Sequence, residues 1–352
     1  MSLQTLPFYG LTNIELTDMF LAETNRLQEY LKENNFTKYL LRTVPQELTN
    51  EQKTCFYYDV EELNKQTVNL KPSQCLSVMH LNIRSLDKHF NKLVSLIESI
   101  EFNFDVIALS EIGRKNIKNR AAILERNYNC YCIEPTDNNF GGVALLTQKH
   151  FNISPRPDLN FGSNLQKGNV ECLWFEICKT NNDTSTNFII GVIYRHPGGS
   201  IDNFTQCLED VISKIDNENK QCIICGDLNI DGLKIQHHNQ TNNFINTILS
   251  HSYLPCITLP TRITDHSVSL IDHILLKTMK RHMEDAIIAG NIYDDISDHL
   301  PVFVIINHKQ IVKSPSRPYV RIYRTRNTNG FKDKLERENW EDILDSNDPN
   351  LG

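Results

Sequence analysis

At 352 residues, with 36 Lys plus Arg against 43 Asp plus Glu and a formal net charge of -7, the chain can hold one large α/β domain with appended segments and is too acidic overall for a generally basic nucleic-acid protein. A local basic face around an acidic centre is still compatible with that sum. The ten cysteines read as reduced thiols of an intracellular protein, because no charged-then-apolar leader and no bilayer-spanning apolar run is present.

In chain order, residues 1–73 hold an amphipathic stretch with Leu16, Met19, Phe20, Leu27, Tyr30 and Leu31 near helical spacing, then the aromatic cluster Cys55-Phe56-Tyr57-Tyr58. They carry no recognisable chemistry and read as a helical or irregular appendage. A core over residues 74–308 follows, in which short apolar runs alternate with turn residues. Strands are expected at 76–81, 106–110, 143–146, 173–177, 188–194, 222–225, 271–276 and 302–306. Phe90, Leu93, Val94, Ile97 and Ile100 line one helical face after Asp87 as N-cap, and Phe204, Leu208, Val211, Ile212 and Ile215 line another. Many short strands with helices between them fit two packed sheets flanked by helices. From residue 309 to 337 nine Lys or Arg face two acids, so the remainder, 309–352, reads as a basic linker.

Polar residues recur where the apolar runs stop. Leu76 to Leu81 ends in Asn82, Val106 to Ser110 ends in Glu111, and Cys222 to Cys225 runs into Gly226-Asp227-Leu228-Asn229. Asp272-His273 lies at one end of the run 271–276, and Asp298-His299 precedes that at 302–306. Carboxylates beside buried strands are costly unless they are paired, hydrogen-bonded or metal-bound. Hard oxygen ligands of this kind suit Mg²⁺, which keeps waters and completes its octahedron with substrate phosphate. Phosphoester hydrolysis is the implied reaction. His273 directly follows Asp272 in a strand and should point to the opposite face, as a structural residue. His237 and His238 read as surface groups. Cys222-x-x-Cys225 has no second pair to complete a zinc site and, like Cys130 and Cys132, reads as buried thiols.

Asn82, Glu111, Tyr194 in Tyr194-Arg195-His196-Pro197, Gly226-Asp227-Leu228-Asn229, Ile271-Asp272-His273 and Ser297-Asp298-His299 occur in the order seen in the endonuclease/exonuclease/phosphatase superfamily, which the chain resembles over roughly residues 74–308. Asn82-Ile83-Arg84-Ser85-Leu86, Gly141-Gly142-Val143-Ala144 and Gly191-Val192-Ile193-Tyr194-Arg195 look like the endonuclease domain of non-LTR (LINE-type) retrotransposons. The resemblance implies a four-layer αββα sandwich of two mixed β-sheets flanked by helices, as in deoxyribonuclease I. It also implies an Mg²⁺-dependent endonuclease, with Mn²⁺ as an alternative ion, that nicks one DNA strand to leave a 3′-hydroxyl.

In that scheme Glu111 binds the ion with help from Asn82 and Asp298. Asp227 activates or orients the water, Asn229 positions water or phosphate, Tyr194 stands near the scissile phosphate, and Asp272 orients His299. Arg195 and Thr261 are weaker candidates for touching DNA. The loop 112–120, with Arg114, Lys115, Lys118 and Arg120 and no acid, is expected to track the DNA backbone, although relatives usually carry Thr-Trp after this Glu. His196 stands where relatives more often have Pro. An RNA or reverse-transcriptase partner and a nuclear location belong to the same expectation. No reverse-transcriptase motif occurs up to Gly352, so the chain is expected to be a truncated or domesticated piece of such an element. The alternatives are a repair endonuclease for abasic sites, a lipid or small-phosphoester phosphatase of the same fold, and a non-catalytic remnant.

Overall fold

The structure is a computed structural model of the 352-residue chain. It describes residues 55–135, 141–161, 165, 169–179, 186–264, 266–277, 286–307, 332–334 and 336–337. The helical stretch expected before residue 55 and nearly all of the basic linker lie outside the described residues. The chain divides into two units, residues 1–309 and 310–352. In the second unit, residues 332–334 and 336–337 are helical and exposed.

Two mixed sheets form the first unit. The larger orders its strands β1 (Cys55–Tyr58), β14 (Ala286–Ile292), β15 (Val302–Asn307), β2 (Cys75–Asn82), β3 (Val106–Ser110), β5 (Val143–Gln148) and β4 (Tyr128–Ile133). The other runs β10 (Leu254–Pro255), β13 (Asp272–Lys277), β9 (Gln221–Asp227), β8 (Thr186–Arg195), β7 (Val170–Lys179) and β6 (Asn152–Pro155). A two-stranded ribbon, β11 (Arg262–Ile263) with β12 (Val268–Ser269), stands apart.

The period of two along each strand sorts side chains between layers. Leu76 and Val78 of β2, Val302, Val304 and Ile306 of β15, Ile190 and Val192 of β8, and Ile223 and Cys225 of β9 meet in one core between the sheets. Met79 and Leu81, with Phe303 and Ile305, face outward beneath α2 (Leu86–Ser99), with its Phe90, Leu93 and Leu96, and α3 (Ile117–Leu124), with its Ile117 and Leu124. On the far side, Ile189, Ile193, Cys222, Ile224 and Leu275 pack with α4 (Ile201–Glu218) and α5 (Asn239–Ser250). Helices, sheet, sheet, helices is therefore the layering, as the resemblance implies.

Several details differ from the expectation. The aromatic cluster read as part of the appendage forms β1, which pairs in parallel with β14. The helix α1 (Val60–Thr67) that follows has its own capping box, Asp59 with Glu62, and buries Leu63. The N-cap of α2 is Ser85, whose side chain accepts from the Lys88 amide, and Asp87 sits in the first turn. Strand β14 was missed because Ala286, Ala289, Gly290 and Asn291 dilute its apolar run with residues of low strand propensity. Helix α5 was missed because its polar face is uncharged Asn, Gln and Thr, although Phe244, Ile245, Ile248 and Leu249 are all buried. Among the described residues no helix is long and apolar enough to cross a membrane.

Candidate active site

The inner faces of the two sheets continue, at one end of the strands, into polar residues. In β2 the alternation Leu76, Val78 leads to His80 and Asn82; in β8, Ile190 and Val192 lead to Tyr194; in β9, Ile223 and Cys225 lead to Asp227. Strand β13 enters the site from its other end with Asp272, and Asp272 pairs in register with Asp227 of β9. The same periodicity that builds the core thus aims these groups at one another.

The end of β9 is fixed by Gly226. Its φ is +152°, and a Cβ there would lie 1.8 Å from the Ile193 carbonyl oxygen, so any other residue would push β9 away from β8. Three non-glycine residues around the site, Arg84 (φ 49°), Glu111 (φ 52°) and Asn229 (φ 49°), hold left-handed backbone. Such conformations persist where surrounding contacts impose them. Here Asn229 N donates to Asp227 Oδ1 at 2.9 Å and Arg84 N to Asn82 Oδ1 at 3.2 Å.

Asn82, fully buried, joins two acids. Its Nδ2 donates to Glu111 Oε1 at 2.7 Å and to Asp227 Oδ2 at 2.8 Å. Burial, with the Asp272 charge across the strands, pushes the Asp227 carboxyl up to about 7. Tyr194 lines the cleft beside these acids; burial first, then the Glu111 and Asp227 charges, raise its phenol far above the ordinary value.

A second group stands opposite. Asp272 Oδ2 accepts from His299 Nδ1 at 2.8 Å and from Thr261 Oγ1 at 2.6 Å. Burial alone would raise the Asp272 carboxyl, but His299, His80 and the Thr261 hydroxyl together hold it below the usual range. Burial likewise opposes a charged His299, and the attraction of Asp272, with Asp227 and Asp298 further off, outweighs it and raises the imidazole above its ordinary value. This balance favours the imidazolium form of His299 beside the carboxylate, and its Nδ1 is committed to that carboxylate. His80, which sequence reasoning passed over, lies behind: its Nε2 is 3.1 Å from Ser110 Oγ and its Nδ1 3.7 Å from Asp272 Oδ1. Burial lowers it to about 4 and keeps it neutral. Its signal was available, since it shares a strand face with Asn82 two residues on.

Glu111, Tyr194, Asp227, Asn229 and His299 line one cleft of about 840 Å³, together with Arg84, Lys88, Arg262 and Asp298. Asn82 and Asp272 are buried behind its wall. Four expected roles change. Arg195 does not reach the cleft: its guanidinium is buried and donates to the carbonyls of Leu228, Asn229, His196 and Gly199, because the loop ends there need donors. Thr261 is fully buried and braces Asp272, so it positions rather than touches DNA. Asn229 turns its amide to the Arg195 carbonyl at 2.7 Å and so ties β9 to β8. Asp298 is held between Arg84 Nε at 3.0 Å and Arg262 Nε at 2.8 Å.

The basic loop faces elsewhere. Arg114 donates to the Pro135 carbonyl, and Lys115 and Arg120 pair with Asp87. None of the residues 112–120 lines the cleft. His273 is buried on the opposite sheet face and bonds the Ile230 carbonyl at 2.8 Å, in the structural role read for it. His237 is exposed and His238 half-buried. Cys222 and Cys225 are free, buried thiols; burial pushes Cys222 up to about 12. Another buried acid, Glu171, pairs across strands with Tyr194, accepts from the Gly142 amide and lies 3.6 Å from His196.

The arrangement of Glu111, Asp227 and Asn82 tests for an ion. Two carboxylates share one neutral amide, and neither makes an ion pair with a Lys or Arg among the described residues. Hard oxygens carrying excess negative charge fit a divalent ion such as Mg²⁺. Asp227, Asp272 and His299 also offer ligand atoms within 4.8 Å of one another, but His299 Nδ1 and Asp272 Oδ2 are already bonded to each other.

The Endonuclease/Exonuclease/phosphatase family is matched over residues 79–299. The chain belongs to this family. Its fold is similar to that of an endonuclease/exonuclease/phosphatase family protein from Bacteroides thetaiotaomicron, with a TM-score of 0.50 at 15% identity over 66% of this chain and 97% of that one. It is also similar to the endonuclease domain of TRAS1, a telomere-specific non-LTR retrotransposon, with a TM-score of 0.50 at 13% identity over 67% of this chain and 100% of that one. An AP endonuclease from Archaeoglobus fulgidus aligns with a TM-score of 0.48 at 16% identity over 66% of this chain and 99% of that one. No curated protein sequence matches the chain.

Proposed function

We propose that the chain is a metal-dependent DNA endonuclease that cuts one strand by water attack on a phosphodiester and leaves a 3′-hydroxyl. The observation that carries this reading is the facing of two groups across one cleft, the Glu111–Asn82–Asp227 cluster and the Asp272–His299 pair. The first is anionic and the second ends in a protonated imidazole, as an in-line displacement at phosphorus requires.

Asp227 takes up or orients the proton of the attacking water, and a carboxyl near neutrality is well matched to that exchange. His299 is held by Asp272 through Nδ1 and donates from Nε2 to a non-bridging phosphate oxygen. Tyr194 lines the cleft with Glu111 and offers its phenol there. Glu111 and Asn82 would hold Mg²⁺, or Mn²⁺, which when bound supplies Lewis-acid polarisation of the phosphoryl oxygen and charge neutralisation. The fold shared with the TRAS1 endonuclease domain supports a retrotransposon origin, in which the 3′-hydroxyl would prime a reverse transcriptase copying RNA in the nucleus.

Supercoiled plasmid incubated with and without Mg²⁺ tests the reading. Nicked circles whose new end a DNA polymerase extends, formed only with the ion and lost in Glu111→Gln, are the expected result. No nicking by the wild type, together with release of inorganic phosphate from a monoester, would replace it with the phosphatase alternative.

A further inference from the structure

Three cations line the cleft without belonging to the reacting constellation: Arg84, Lys88 and Arg262. Two of them share one counter-ion. Arg84 reaches Asp298 Oδ1 and Arg262 reaches Asp298 Oδ2, each through Nε. One carboxylate against two guanidiniums leaves a positive charge uncompensated, and contact through Nε leaves the Nη groups of both side chains for another anion. A guanidinium fork matches the oxygens of a phosphate. Lys88 is exposed and makes no ion pair among the described residues.

The backbone joins this rim to the reacting groups. Arg84 and Ser85 have φ of 49° and 111°, in the left-handed region. The turn is held by Arg84 N on Asn82 Oδ1 and by Ser85 N on the Glu111 carbonyl at 2.7 Å. Asn82 and Glu111, the groups that would hold the ion, therefore also fix where Arg84 leaves the chain. On the other side, Arg262 follows Thr261, the residue that braces Asp272.

We infer that Arg84, Lys88 and Arg262 form a second anion subsite that seats a phosphate neighbouring the one being cut, so that the substrate is a strand carrying at least two consecutive phosphates. Asp298 is the positioning residue that holds both guanidiniums toward it. The inference rests on the phosphodiesterase reading of the same cleft, and it moves backbone recognition from loop 112–120 to the cleft rim.

Two chromogenic esters separate the subsite from the reaction: the p-nitrophenyl ester of thymidylate, with one phosphate, and that of the dinucleotide, with two. With Mg²⁺, the wild type should favour the second in kcat/KM by about ten-fold or more, and Arg84→Gln/Arg262→Gln should bring the ratio toward one. Lys88→Gln, which leaves Asp298 and its partners in place, should reduce the ratio as well. A preference unchanged in both variants overturns the subsite. If the wild type hydrolyses neither ester, the reaction fails, and binding of a short DNA duplex in chelator still tests the subsite. The slope of log affinity against log salt should flatten by about one unit per neutralised residue. A slope that moves with Lys115→Gln/Lys118→Gln and stays fixed in the rim variants would overturn the assignment.

Discussion

His299 and Asp272 set the pH behaviour of the site in opposite directions. The imidazole is raised above its ordinary value, so its contribution to stability is fully present below about 6.5 and is lost as pH climbs through its folded value. The Asp272 carboxyl is depressed, so its contribution is present above about 3.9 and is lost as pH falls through its folded value. Activity needs Asp227 ionised and His299 protonated. The acid limb belongs to Asp227, whose carboxyl burial pushes up to about 7 in the metal-free protein; a bound cation should move it lower. The alkaline limb belongs to His299. Asp272→Asn should cost on the order of 10² to 10⁴ in kcat and bring that limb down to lower pH. A pH–rate profile of this variant checks both, and an unmoved alkaline limb would take His299 out of that role.

Glu111 carries a separate expectation. Glu111→Gln keeps the shape and the bond to Asn82 but removes the anionic oxygen ligand. Thermal melting of the wild type should rise with added Mg²⁺ as the ion binds the folded state. In Glu111→Gln the rise should be small, with the metal-free melting point nearly unchanged; an equal rise in both proteins would place the ion elsewhere.

At the scale of single elements, the end of β9 decides whether the site exists. Gly226→Ala puts a methyl against the Ile193 carbonyl, so Asp227 and its partner Asp272 must shift together. A loss of about 2 to 4 kcal/mol, the size expected for strain at a special backbone position, should appear in denaturant unfolding, with activity falling further than stability. Thr261→Val is the milder counterpart. It removes the hydroxyl that donates to the Asp272 carboxylate and accepts from the Ile271 and Asp272 amides, while filling the same space, and should lower kcat further than it lowers melting.

The whole first unit depends on a segment that the sequence pattern set aside. β1 pairs with the edge of β14, and α1 buries Leu63 in the core beneath the larger sheet. A chain beginning at residue 74 should therefore melt well below one beginning at residue 55, because it exposes the β14 edge and leaves the place of Leu63 empty. Equal melting of the two chains would make this segment an accessory after all. The two outward cores and the one between the sheets form a single layered body over residues 55–307, and the cleft opens where the two inner faces end.

What the sequence determined by itself was local. Short continuous apolar runs announced the strands that carry Asn82, Tyr194 and Asp227, as expected of strands buried on both faces, and apolar stripes announced α2 and α4. Strand ends then told which polar residues stand beside the core. Tertiary structure decided what depends on separation in the chain. That Asp272 lies opposite Asp227, 45 residues earlier in the chain, follows from the antiparallel register of β13 on β9, which no local pattern records. The same holds for Arg195 and Thr261: each is polar or basic and follows a strand or sits near a reacting residue, as a DNA contact would, and only the positions of distant carbonyls and of Asp272 show their side chains turned away from the cleft. His80 and Arg262 went the other way, toward the site, for the same physical reason: where a side chain ends up is fixed by the partners that folding brings to it.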